Sequence, residues 1–167
     1  DVDKSIVKYE LNHKFNLTDG QKDAVRHILT SRDGIIAIQG DAGTGKTTML
    51  DVVRTAIDNN HEVVGLSFTG KAAGEIEEAS SIKSRTIASL INSQDDLSGK
   101  LVVVDEASML SIKDMDALIK KCDKDTKLVL IGDTKQLQSI GQGKIFSSLQ
   151  EKHVIEAARM SEVQRQT

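Results

Sequence analysis

Strand-like and helix-like segments alternate along the chain, which predicts an α/β fold: a mostly parallel central sheet with helices on both faces. Short apolar runs rich in β-branched residues recur without polar alternation, the pattern of strands covered from both sides. Stretches with helical spacing lie between them. A glycine-rich loop joins the first apolar run to the helical stretch after it.

Residues 1–16 form a leading segment with no assigned element. Thr18 is placed as the N-cap of a helix from Asp19 to Leu29, with Ala24, Val25, Ile28 and Leu29 on one side. Gly34 to Gln39 is the first strand, followed by a helix from Thr47 to Ile57. His61 to Leu66 is the second strand and Gly70 to Ala79 the next helix. Leu101 to Val104 is the third strand, Ser111 to Lys121 a helix, and Lys127 to Ile131 the fourth strand. His153 to Ile155 is a weaker fifth strand. Gln94 to Lys100, polar and containing Ser-Gly, reads as a loop.

A length of 167 residues suits one domain, and 38% hydrophobic with 28% charged residues is the balance of a globular protein. No apolar run approaches the ~20 residues that a membrane helix needs, so no membrane insertion is expected. The first residues, Asp-Val-Asp-Lys, lack the layout of a signal peptide, and the missing initiator Met reads as a piece of a longer protein. A lone cysteine, Cys122, fits a reducing, cytoplasmic setting and reads as a small hydrophobe. The net charge of −3 does not advertise nucleic-acid binding. Tyr9, Phe15, Phe68 and Phe146 are the only aromatics, which argues against a platform stacking many bases. Any nucleic-acid contact is therefore narrow and local.

Gly40-Asp41-Ala42-Gly43-Thr44-Gly45-Lys46-Thr47 matches the phosphate-loop pattern G-x-x-x-x-G-K-[ST], between a strand and a helix as the chemistry requires. Gly40, Gly43 and Gly45 let the backbone curl so that successive N–H groups, Thr44 and Thr48 included, aim at phosphate oxygens. The helix start adds its positive dipole end. Lys46 reaches the β- and γ-phosphates, and the Thr47 hydroxyl ligates Mg²⁺. ATP with Mg²⁺ is the expected ligand. The competing reading is a glycine-rich turn with an exposed lysine.

Val102-Val103-Val104-Asp105-Glu106 is a buried strand ending in a pair of carboxylates, at the strand ends where α/β sheets bind ligands. Asp105 is placed to hold Mg²⁺ and Glu106 to orient and deprotonate the attacking water. The bland alternative is an acidic start to the next helix. The fourth strand runs into Gly132-Asp133-Thr134-Lys135-Gln136-Leu137, where Gln136 could contact the γ-phosphate or the catalytic water.

These residues resemble superfamily 1 helicases. Gln39 to Thr47 resembles motif I, Val104 to Met109 motif II, and Gly132 to Leu137 motif III. Gly65-Leu66-Ser67-Phe68-Thr69-Gly70-Lys71-Ala72-Ala73 resembles motif Ia, and Ser84 to Leu90 the next DNA-contacting motif. Ser161 to Gln166 resembles the Arg-Gln of motif IV, and Leu17 to Ala24 the adenine-recognising Q motif. Within the superfamily the likeness is to the RecD-like branch, and there to the helicase part of TraI-type conjugative relaxases. Gly132 to Phe146 and Val63 to Leu66 carry that finer assignment.

The resemblance implies a RecA-like P-loop NTPase domain of bacterial cytoplasm, spanning residues 1–167 as the first of a pair. It implies that Gln21 reads the adenine edge and that Arg165 is an arginine finger at the γ-phosphate. It also implies that Phe68, Thr69, Lys71 and Thr86 touch single-stranded DNA. For these the structural alternatives are a core contact for Phe68, a solvated helix position for Lys71 and an N-cap for Thr86. Many family members have proline where Phe68 and Gln138 stand. The implied activity is ATP-driven 5′ to 3′ translocation, with conjugation or secretion proteins as further partners. Motifs V and VI, which belong to a second RecA-like domain, have no counterpart here, so weak nucleotide binding and little hydrolysis are expected of this chain alone. A helicase-like domain without turnover, binding single-stranded DNA or a secretion partner, is the alternative; an intact Glu106 argues against it. A small-molecule P-loop kinase would leave the other motifs unexplained.

Overall fold

The structure, a computed structural model, describes residues 1–40, 45–57 and 61–132. Its centre is a parallel sheet of strands β1 (Ile35–Gln39), β2 (Val63–Ser67), β3 (Lys83–Thr86), β4 (Leu101–Val104) and β5 (Lys127–Gly132), in the spatial order β1-β5-β4-β2-β3. The helices are α1 (Val2–His13), α2 (Asp19–Thr30), α3 (Lys46–Ala56), α4 (Gly70–Ser80), α5 (Ile87–Ile91) and α6 (Ile112–Ile119), with a 3₁₀ turn at Ala107–Met109. The predicted strand at His153 to Ile155 lies outside the described residues.

The apolar runs became the inner strands because they can be covered on both sides. Every residue of β4 is buried, as are Leu128 to Ile131 of β5. The second strand sits further along than its apolar run suggested, at Val63–Ser67, because pairing with Leu101–Val104 starts at Val63. Strand order also fixes the layers. The path from β1 to β2 to β3 runs one way across the sheet, and the path from β3 to β4 to β5 runs back. Right-handed crossovers then put α3 and α4 on one face and α5 and α6 on the other, and the contacts of α3 with α4 and of α5 with α6 agree.

Two stretches carry structure that the reading above left unassigned. The leading segment is mostly the helix α1, capped by Asp1 and burying Ile6 and Tyr9 against α2 and α3. Lys83–Thr86, which overlaps the motif-like stretch Ser84 to Leu90, forms the edge strand among the described residues. Its polar residues suit a sheet edge. The predicted loop at Gln94 to Lys100 is a loop, held by the Leu97 N–H on the Lys121 carbonyl (2.8 Å) and by the Lys121 ammonium on the Ser93 and Asp95 carbonyls.

Candidate functional site

The C-terminal edge of the sheet gathers the ends of β1, β5 and β4. Gln39 pairs with Gly132 in register, and the Gly40 N–H donates to the Gly132 carbonyl (3.1 Å). Val104 pairs with Leu130, and the Asp105 N–H donates to the Leu66 carbonyl of β2 (3.0 Å). The connection leaving β1 goes to one face and that leaving β4 to the other, which opens a crevice above β5, the kind of place where ligands bind.

Lys46 and Asp105 meet across that crevice. The Lys46 Nζ donates to Asp105 Oδ1 at 2.9 Å, with side chains 26% and 12% exposed. The partners are 59 residues apart: Lys46 opens α3, which follows β1, and Asp105 follows β4, two strands that flank β5, so the sheet order is what brings them together. The Glu106 N–H donates to the same Oδ1 at 2.9 Å. Glu106 itself takes the left-handed conformation (φ 51°, ψ 42°) and is exposed. A non-glycine residue in that region costs energy and marks a place worth examining for function.

The phosphate-loop glycines fit the backbone they occupy. Gly45 has φ 74°, and a Cβ there would collide with the Gln21 side-chain amide. A Cβ on Gly40 would collide with the Ile131 side chain. Lys46, Thr47 and Thr48 make the first turn of α3, where backbone N–H groups point out of the helix start. Gly43 and Thr44 lie outside the described residues. A glycine-lined helix start, a lysine, a threonine hydroxyl and an aspartate suit a polyphosphate with a hard divalent cation, which takes oxygen donors.

Gln21 is joined to this loop by a contact the sequence did not reveal. Thr18 and Gln21 form a reciprocal capping box: the Gln21 N–H donates to Thr18 Oγ1 (3.1 Å) and the Thr18 N–H to Gln21 Oε1 (2.9 Å). The Gln21 Nε2 then donates to the Gly45 carbonyl at 3.1 Å. The Q-motif glutamine therefore bolts α2 to the start of α3.

The residues expected to face DNA gather at the ends of β2 and β3, where Ser67 pairs with Thr86. Thr69 caps α4, its hydroxyl accepting from the Ala72 N–H (3.1 Å), and Lys71 is exposed in the first turn. Thr86 caps α5, accepting from the Ser89 N–H (3.1 Å). Phe68 is half-buried and packs on the core. Each threonine thus has a capping task, whatever else it touches. Gln136 and Arg165 lie outside the described residues.

Behind the site lies a cluster that no sequence motif marked. Tyr9 of α1 donates its hydroxyl to Asp51 Oδ2 of α3 (2.7 Å), and Arg54 Nη2 donates to Asp51 Oδ1 (3.0 Å). Burial, then the hydrogen bond and the negative charge of Asp51, push the Tyr9 hydroxyl up to about 12. The Asp51–Arg54 spacing on a helix was a legible signal for an ion pair. The i, i+4, i+7 pattern of Val2, Ile6 and Tyr9 could likewise have disclosed α1.

A family model described as an AAA domain matches residues 16–167. The chain belongs to the AAA domain family. Among its relatives, this AAA domain is 36% identical over 155 residues to the probable conjugal transfer protein TraA of Sinorhizobium fredii, covering 89% of this chain and 14% of that one. It is 36% identical over 168 residues to the multifunctional conjugation protein TraI of Escherichia coli, covering 90% of this chain and 9% of TraI. It is 30% identical over 185 residues to the RecBCD enzyme subunit RecD of Haemophilus influenzae, covering 89% of this chain and 28% of RecD. The chain thus spans a minor part of each relative. A solved structure of Pif1 helicases coordinating at forked double-stranded DNA superposes with a TM-score of 0.54 at 22% identity, covering 70% of this chain and 33% of that one. That likeness shows the fold to be the RecA-like one. The AAA domain here is helicase-like, similar to conjugation proteins of the TraI and TraA type and to RecD. Among the described residues, no helix is long and apolar enough to cross a membrane.

Proposed function

We propose that this AAA domain is the nucleotide-gripping half of a DNA helicase motor and that it drives 5′ to 3′ translocation on single-stranded DNA during conjugative transfer. One observation carries this reading: Lys46 and Asp105, from distant parts of the chain, meet at 2.9 Å above the middle of a parallel sheet. The names of the TraI and TraA relatives support the conjugative setting, and with it a bacterial cytoplasm.

Lys46 would hold the β- and γ-phosphate oxygens of ATP, with the N–H groups of the α3 start around them. Thr47 and Asp105 would hold Mg²⁺, whose charge neutralises the phosphates. Glu106 would take the proton of the attacking water. Gln136 would sense the γ-phosphate and Arg165 would stabilise charge developing there. Gln136 follows Gly132 by few residues, so the chain can reach no further than about 14 Å from the end of β5, a reach that supports this role. Phe68, Thr69, Lys71 and Thr86 would line the DNA path, and Gln21 would read adenine. A second RecA-like domain of the longer protein would close the other wall of the cleft.

The test is an ATPase assay with and without single-stranded DNA, on residues 1–167 and on a polypeptide extended through the second domain. The expected result is little turnover by the former and DNA-stimulated turnover by the latter. Robust DNA-stimulated turnover by residues 1–167 would overturn the half-site reading. DNA binding without any turnover in the extended protein would favour a binding module instead.

A further inference from the structure

The start of α3 carries the candidate phosphate grip, and the start of α4 carries Thr69 and Lys71. Each helix has 11 residues and is about 16 Å long. Away from those starts Arg54 of α3 reaches across to α4, oriented by Asp51 on its own helix. Arg54 spends its guanidinium in two directions: Nη2 on Asp51 Oδ1 (3.0 Å) and Nε on the carbonyl of Ser80, the last residue of α4 (2.7 Å). Ser80 is fully buried, and its hydroxyl donates back to the Ile76 carbonyl (2.6 Å) while accepting the Ile82 N–H (3.3 Å). The receiving carbonyl therefore belongs to a fixed helix end. Asp51 is fixed in turn by the Tyr9 hydroxyl on its other oxygen (2.7 Å).

We propose that Asp51 and Arg54 are positioning residues that tie the phosphate grip at the start of α3 to the DNA-facing start of α4, so that binding at either start changes affinity at the other. The inference rests on the functional reading above. α3 and α4 also pack side by side, but apolar packing lets helices slide. A guanidinium held in place by Asp51 on its own helix and donating to the Ser80 carbonyl of α4 restrains both sliding and tilt, because its donors are fixed in one plane. A shift of α3 on gripping phosphate is then passed to the far end of α4, and α4 moves as a rod. Tyr9 keeps Asp51 from turning away from Arg54. With its hydroxyl pushed up to about 12, it remains a donor at neutral pH.

The experiment measures affinity of the full-length protein for a fluorescent oligo-dT, with and without the β,γ-imido analogue of ATP and Mg²⁺. The ratio of the affinities is the coupling, and it is reciprocal. In wild type it should fall within the usual range of about 5- to 150-fold. Arg54→Met, which keeps the packed stem, and Asp51→Asn should bring the ratio to within about twofold of one, with the analogue still bound. Arg54→Lys keeps the charge but lacks the planar fork that fixes both partners in one geometry, so it should lower the ratio too, and it guards against a Met variant that fails to fold. A wild type that binds neither ligand would defeat the functional reading itself. A wild type that binds both, with variants keeping its ratio or weakening both affinities equally, would overturn the coupling. So would a wild-type ratio of one.

Discussion

Replacing Glu106 by glycine should make the protein more stable and the motor inert. Its left-handed backbone (φ 51°, ψ 42°) costs an L-residue roughly 1–2 kcal/mol relative to ordinary conformations. Glu106→Gly removes that cost but adds unfolded-chain entropy of roughly 0.5–1 kcal/mol. The difference leaves a net gain of up to about 1.5 kcal/mol, each kcal/mol being about 2–4 °C in Tm for a domain of this size. Glu106→Ala keeps the strain and should stay within about 0.5 kcal/mol of wild type, because the side chain is exposed. Asn, which tolerates the left-handed region, should fall between them. Scanning calorimetry of residues 1–167 reads the order Gly above Asn above Ala. Turnover by the two-domain protein should be lost in all three. A Gly variant no more stable than Ala would refute the strain argument. A stable Gly variant that still hydrolyses ATP at the wild-type rate would refute the role of Glu106 as base.

Lys46→Ala should cost on the order of 1–2 kcal/mol, between the values of surface and buried ion pairs, because among the described residues the Asp105 carboxylate then keeps the Glu106 N–H alone. Mg-ATP at about 100 times its Kd should stabilise wild type by about 2.7 kcal/mol and leave this variant unmoved in a thermal melt. Tyr9→Phe should lose about 1 kcal/mol in urea denaturation at neutral pH. Because the Tyr9 pKa is raised in the folded state, its contribution is full below about 10, the unfolded value, and fades as pH climbs through about 12. The alkaline limb of the wild-type pH–stability curve should thus be steeper than that of the Phe variant. Asp123 behaves oppositely. Burial raises its pKa, but hydrogen bonds from the Gly99 and Asp125 N–H groups and from Thr126 outweigh it, and the net shift is downward. Its contribution is present above about 4 and is lost as pH falls through the lower folded value, so Asp123→Asn should blunt the acid limb.

The inner strands and the site-bearing turns were legible because each rests on a local signal. Leu101 to Val104 can only be a strand buried on both faces, and Gly45-Lys46-Thr47 can only begin a helix once glycine has allowed φ 74°. Thr18 ahead of the apolar periodicity predicted the cap of α2, and the structure adds Gln21 as the other half of a capping box. What escaped depended on partners far along the chain. Lys83–Thr86 is a strand because Val64 to Ser67 offers it an edge, and nothing in Lys-Ser-Arg-Thr says so. α1 is held by Tyr9 on Asp51 and by Arg26 on Asp3, at separations of 42 and 23 residues. The family resemblance named Gln21 as a base reader, yet only the folded chain shows its amide already engaged at Gly45.

That engagement changes how affinity at this site should be thought of. Lys46 has a carboxylate partner and Gln21 a carbonyl and an N–H partner within the domain. Lys46 therefore exchanges Asp105 for phosphate oxygens rather than giving up water, and the net gain is the difference between the two charge-assisted contacts. On the proposed function the exchange would be productive, because the freed Asp105 would itself serve as a cation ligand, so that lysine and aspartate become available together. A lone phosphate offers only half of that trade, whereas Mg-ATP offers both halves. The site should accordingly discriminate against nucleotide without Mg²⁺ more strongly than the count of metal ligands suggests. Asp105→Asn, which keeps the shape but weakens the internal pair, should bind metal-free ATP more tightly than wild type does in a calorimetric titration. Equal or weaker metal-free binding by that variant would show that the pair does not hold the site against bare nucleotide.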